Sequence, residues 1–170
     1  RGIAPMDAMV EIALAEDLDV EFVWRTETDV WREGTYQAST HPHMLLGTSD
    51  GGAHLGRDDG SEWSSWFLRY WVREWGKWEL EEAIRQMTQQ PAALLGFVDR
   101  GMLLPGHAAD LMIFDPERIG PGRKEFVRDF PNGEGRWSSR PEGMHATIVN
   151  GVPIVIDGEL TDEGGLPGQV

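Results

Sequence analysis

The residues best suited to chemistry fall in one short stretch, Ser49-Asp50-Gly51-Gly52-Ala53-His54, with Arg57 close behind. Asp50 offers a carboxylate that can ligate a divalent metal or serve as a general base. His54 can contact a substrate or steady Asp50 through a supporting hydrogen bond. Arg57 can steer a substrate carboxylate toward the same place, although Asp58 and Asp59 beside it offer surface ion pairs instead. A bland reading fits the same residues: Asp-Gly pairs make turns readily, and a neighbouring histidine can simply hold the loop. His41 and His43 flank Pro42 and would share one side of an extended backbone, but they precede the apolar run that follows. A binding pair belongs at the C-terminal mouth of a strand, so these two read as a solvent-facing connection. His107 sits between Gly106 and Ala108 in what should be an exposed turn, and His145 alternates in a strand toward solvent.

A carboxylate is useful only where an element presents it. Met44, Leu45 and Leu46 have no polar partner face, which predicts a short parallel strand covered on both sides. Gly51 and Gly52 would end it, leaving Asp50 at the mouth where barrel and open-sheet enzymes keep ligands and bases. Ahead of it, Pro5 and the spacing of Met6, Met9, Val10, Ala13, Leu14 and Leu18 predict an amphipathic helix over residues 5–17. Residues 20–24 alternate like a strand, residues 25–34 suit a short helix or a loop, and residues 37–43 lead into the central strand. After a charged turn at residues 56–60, the rings of Trp63, Trp66, Phe67, Tyr70, Trp71 and Trp75 predict one helix packed against a core. Further helices are expected at residues 80–87 and from Pro91 to a stop at Gly96.

From Gly101 the pattern turns to β. Strands are expected at residues 110–114, 144–149 and 152–156, with Asn150-Gly151 as a hairpin turn and Asp157-Gly158 as another. Residues 117–143 read as a long loop with a brief strand or turn near 126–130, and the tail from Thr161 reads as irregular. The 170 residues are 40% hydrophobic, enough for a packed core, and carry a formal charge of -14. Such acidity argues against unaided binding to nucleic acid or an anionic membrane. There is no cysteine, which excludes disulfides and thiolate metal sites, and no apolar run of membrane-spanning length. A cytoplasmic location is the expectation. Arg1 opens the chain almost directly into a helix signal, as a piece cut from something longer would.

Taken together, the motifs resemble a known family. Ser49 to His54, then Tyr70-Trp71-Val72-Arg73-Glu74, then Leu80-Glu81-Glu82-Ala83-Ile84 with Met87-Thr88 and Pro91-Ala92, resemble the metal-dependent amidohydrolase superfamily. Within it, the branch of N-acyl-D-amino-acid deacylases, or D-aminoacylases, matches best. Asp99-Arg100-Gly101-Met102-Leu103, Ala108-Ala109-Asp110-Leu111 and Ala146-Thr147-Ile148-Val149-Asn150-Gly151 resemble that family's passage from its barrel into a small β domain.

The resemblance implies an α/β chain: the C-terminal part of a TIM-like (β/α)8 amidohydrolase barrel followed by part of a small β-sandwich domain. Residues 1–100 would be the barrel remnant, with its last helices and eighth strand, and residues 101–170 the β-domain remnant. It implies that Asp50 binds the metal and shuttles a proton, with His54 and Arg57 toward substrate or supporting Asp50. In the intact parent, zinc or another divalent ion would activate water against the amide carbonyl of an N-acyl amino acid, and Asp50 would carry its proton to the leaving amine. The family's other ligands lie on earlier strands, which this sequence does not contain. The chain alone is therefore expected to bind no metal and to lack deacylase activity. Its orphaned barrel surfaces should either re-pack, with the aromatic helix covering residues 44–46, or pair in a homo-oligomer. The rival reading is a catalytically inactive structural or interaction domain. A third possibility is complementation by a separate subunit that carries the missing strands.

Overall fold

The structure, a computed structural model, describes residues 2–20, 22, 27–47, 49–51, 60–161 and 167–168. His54, Arg57, most of the expected strand at residues 20–24 and most of the tail beyond Thr161 lie outside the described residues. The chain divides into two compact units, residues 1–38 and 39–170.

In the first unit, α1 (Pro5–Ala15) starts with Pro5 in the first turn, where its missing N–H costs nothing. It stops two residues short of the expected end because Asp17 and Leu18 take left-handed backbone angles, with Leu18 N–H donating to Ala13 O at 2.7 Å. Met6, Val10 and Leu14 do share one helical face, but that face stays exposed. The segment left open between helix and loop forms α2 (Asp29–Ser39). Thr28 begins it: its Oγ1 accepts from Trp31 N–H at 3.1 Å, as a helix cap does, and Gln37 Nε2 donates to Glu33 Oε1 at 3.1 Å one turn apart.

The second unit holds the site. Residues 44–47 are irregular backbone rather than the expected buried strand, and Met44 and Leu45 are exposed. Three apolar residues satisfy no backbone groups by themselves; a parallel strand needs a neighbour, and no described strand runs beside these. Instead Gln90 Nε2 donates to Met44 O at 3.1 Å.

The aromatic helix begins as α3 (Trp63–Phe67) and continues as a π-helical segment, Leu68–Glu74, in which Trp75 N–H donates to Tyr70 O at 2.7 Å. Phe67 stacks on Trp71 at 6.4 Å, Trp71 meets Trp75 edge-on at 4.9 Å, and Phe67 reaches Trp78 at 5.9 Å. Phe67, Leu68, Trp71, Trp78 and Ala83 are buried, as is Ile119 in the β half. Next, α4 (Leu80–Met87) places Glu81 and Glu82 in its first turn and Arg85 in its last, in line with the helix dipole. Then α5 (Gln89–Leu94) begins two residues before Pro91 and is followed by Gly96 at φ +80.

The β half is antiparallel throughout its described strands. β1 (Leu111–Phe114), β4 (Met144–Val149), β5 (Val152–Ile156) and β6 (Glu159–Leu160) form one sheet in that order. Both Asn150-Gly151 and Asp157-Gly158 have positive φ at each residue, the backbone of a tight two-residue hairpin turn. Between β1 and β4 the expected long loop is largely a hairpin of β2 (Lys124–Val127) and β3 (Arg136–Ser139). Phe126 lies opposite Trp137 with rings edge-on at 5.4 Å, and Arg136 grips Asp129 at 3.1 and 2.7 Å. Arg73 fastens the helical part to the β part, donating through Nη1 to Pro116 O at 3.0 Å and Ile119 O at 2.7 Å.

Candidate functional site

Asp50 is exposed and sits in a short turn in which Ser49 Oγ accepts from Gly51 N–H at 3.0 Å. The turn is close-packed: a Cβ at Gly51 would lie 2.9 Å from Ser49 Oγ and 3.2 Å from Ser61 Cβ, so these side chains would have to shift to admit one. Gly51 and Ser61 are thus neighbours, beside Asp50. The Ser61 side is fixed. Trp63 N–H donates to Gly60 O at 3.0 Å at the start of α3, and the largely buried Glu62 carboxylate pairs with Lys124 Nζ at 2.6 Å. Asp50 therefore stands at the foot of the aromatic helix, held through its two neighbours.

His54 and Arg57 cannot be joined to Asp50 by distance, since both lie outside the described residues. His41 and His43 are exposed in a turn, as expected, with ring centroids 5.4 Å apart and His41 Nδ1 accepting from His43 N–H at 3.3 Å. His145 is exposed, with Nδ1 3.5 Å from Asp157 Oδ1. His107 departs from expectation: it is half-buried, because its turn folds back through His107 N–H to Leu104 O at 3.1 Å and Ala108 N–H to Asp99 O at 2.8 Å.

The donor set decides what the site can hold. Among the described residues no group of three or more His, Cys, Asp or Glu is placed to hold a metal ion. Zinc catalysis takes about three protein ligands and an open position. The described residues do not fit that centre; Asp50 can add one oxygen to a metal held elsewhere, or take and return a proton. Sequence reasoning did not find the supports of this loop. The Glu62–Lys124 pair and the Arg73 bridge join residues far apart in the chain, and no spacing signals such contacts.

A profile described as the amidohydrolase family matches residues 34–155. This chain belongs to the amidohydrolase family. The match extends from inside α2 to β5, a span that includes Asp50 and the aromatic helix, and the relatives place the chain in a D-aminoacylase-like branch of amidohydrolases. It is 35% identical over 137 residues to an N-acyl-D-aspartate deacylase of Alcaligenes xylosoxydans xylosoxydans, covering 77% of this chain and 24% of that protein. It is 33% identical over 108 residues to a D-aminoacylase of the same organism, covering 62% of this chain and 20% of that protein. A crystal structure of D-aminoacylase superimposes with a TM-score of 0.45 at 30% identity, over 59% of this chain and 19% of that one. Another D-aminoacylase structure concerns that enzyme's binuclear metal centre, with activation by one metal and attenuation by a second. This amidohydrolase chain spans about a fifth to a quarter of the length of the curated relatives it matches.

Proposed function

We propose that this chain is the C-terminal segment of a hydrolase of N-acyl-D-amino acids, and that Asp50 moves the proton in that reaction. The observation that supports it is the family match from residue 34 to residue 155 with Asp50 inside it. On this reading residues 1–100 complete a TIM-like barrel and residues 101–170 contribute to a small β-sandwich domain. Zinc or another divalent ion would be held chiefly by residues this chain does not present among its described ones, with Asp50 adding one oxygen.

The proton steps belong to Asp50. As the water oxygen bonds to the amide carbonyl carbon, one water O–H breaks and its proton passes to the Asp50 carboxylate. As the C–N bond then breaks, the same proton goes to the leaving nitrogen, which departs as the amine of a D-amino acid while the acyl group leaves as a carboxylic acid. His54 and Arg57 would bind the substrate carboxylate or brace Asp50. The second reading, an inactive interaction domain, is favoured by the exposed turn that carries Asp50 and by the lack of a metal-holding group among the described residues.

The test is a chimera in which residues 34–155 replace the matching segment of a D-aminoacylase. Hydrolysis of N-acetyl-D-amino acids should persist in the chimera, and Asp50→Asn should lower kcat by about a hundredfold or more while leaving the fold intact. A folded, metal-loaded chimera that is inactive, or one indifferent to Asp50→Asn, would sink the assignment.

A further inference from the structure

We propose that Lys124 is a positioning residue for Asp50: through Glu62, the β half holds the turn that carries the proton-moving carboxylate. The inference deepens the proton role proposed for Asp50 and rests on it. Lys124 opens β2, and its Nζ lies 2.6 Å from the Glu62 carboxylate. The Glu62 side chain is only 12% exposed, so its charge depends on the ammonium more than on water.

The path from Lys124 to Asp50 is short and made of close contacts. Glu62 O accepts from Trp66 N–H at 3.0 Å and from Ser65 Oγ at 3.0 Å, which seats Glu62 at the foot of α3. Ser61, just before it, lies against the Asp50 turn: a Cβ at Gly51 would sit 3.2 Å from Ser61 Cβ and 3.4 Å from Ser61 Cα. On the other side of the turn, a Cβ at Gly60 would sit 4.0 Å from Ser49 Cβ. Asp50 is placed between Ser49 and Gly51, the two residues that make these contacts and that close the turn on each other.

Lys124 is also the end of a longer seam. Arg73 donates to Pro116 O and Ile119 O, a Cβ at Gly120 would sit 2.9 Å from Arg69 Cδ, and Lys124 reaches Glu62. Contacts that advance along one segment while retreating along the other describe a strap laid antiparallel on the aromatic helix. Arg73 grips the strap by its backbone, whereas at Lys124 a β-half side chain carries the hold. Removing that ammonium leaves a mostly buried carboxylate uncompensated, which Glu62 relieves by swinging toward water. Ser61 then loses its seat against Gly51, and Asp50 leaves the place from which it takes and returns the proton. A misplacement of about 1 Å caused from outside the chemistry can cost about a hundredfold in rate.

Hydrogen exchange of the full chain tests the hold directly. In Lys124→Met the amides of Gly51 and Trp63 should exchange about tenfold faster than in the wild type, while Gly151, bonded to Ala109 O at 2.9 Å, stays unchanged. Lys124→Arg should keep the wild-type rates, and so should Arg128→Met, which removes a cation just beyond β2. The consequence for catalysis is read in the D-aminoacylase chimera that carries residues 34–155. There Lys124→Met should lower kcat about tenfold with KM within about twofold, and Lys124→Arg should recover it. Circular dichroism confirms folding of each variant; should Lys124→Met not fold, Glu62→Gln is read in its place. Unchanged exchange at Gly51 in the folded variant would overturn the proposal. So would an unaltered kcat in Lys124→Met where Asp50→Asn abolishes turnover. If Asp50→Asn itself leaves turnover intact, the proton role fails instead, and exchange at Gly51 alone decides whether Lys124 holds the turn.

Discussion

Glu82 lies in the first turn of α4, where two neighbours on the same helix hold its carboxylate. Arg85 donates to Glu82 from Nε and Nη2, each at 2.7 Å, and Gln86 adds a third bond at 2.9 Å. Those bonds, Arg85's first, hold the Glu82 carboxyl down from 4.5 to about 2. A carboxyl lowered in the folded state contributes stability that is fully present above its unfolded value and is lost as pH falls through its folded value. The contribution should therefore fade between pH 4.5 and about 2. It is modest, since both side chains are 42% exposed and water screens the pair. Unfolding midpoints followed against pH should fall less steeply over that window in Glu82→Gln than in the wild type; parallel acid limbs would contradict the assignment. Asp50 stands exposed in its turn. Its place before Gly51-Gly52 was legible in the sequence because glycines punctuate a chain wherever they fall. The closeness of Gly51 to Ser61 was not legible, since it depends on a contact across a loop.

At the scale of elements, sequence reading succeeded where a signal is local and failed where structure depends on neighbours. β4 and β5 lie where expected because Asn150-Gly151 sets the hairpin turn without outside help. α4 likewise runs over its expected residues on apolar spacing alone. Residues 44–46 misled, because an apolar run reports what a strand would bury and not whether another strand lies beside it. The β2–β3 hairpin was hidden in a stretch without clean alternation, and only the pairing of Phe126 with Trp137 makes sense of it. The π-helical segment was equally silent, since rings spaced three and four apart suit an α-helix as well. Its packing carries a clear expectation. Trp71 is 3% exposed and touches both Phe67 and Trp75, so Trp71→Ala should cost about 3–5 kcal/mol of unfolding free energy in urea titrations. A loss below ~1 kcal/mol would mean that the aromatic helix is not the core of this unit.

At the scale of the whole molecule, the order of motifs told more than any single one. Ser49 to His54, the aromatic helix and the turn into β structure each suit many folds; in sequence they pointed to the amidohydrolase family, which the match over residues 34–155 bears out. The proposed division of labour gives this chain the proton-moving carboxylate, with the rest of a metal centre supplied from outside its described residues. That claim is most directly tested by assaying the purified chain for hydrolysis of N-acetyl-D-amino acids in the presence of zinc, with zinc content measured on the same sample. The account predicts substoichiometric zinc and no hydrolysis above the buffer rate. One tightly held zinc per chain, with turnover that disappears in Asp50→Asn, would contradict it and make these 170 residues a complete catalyst.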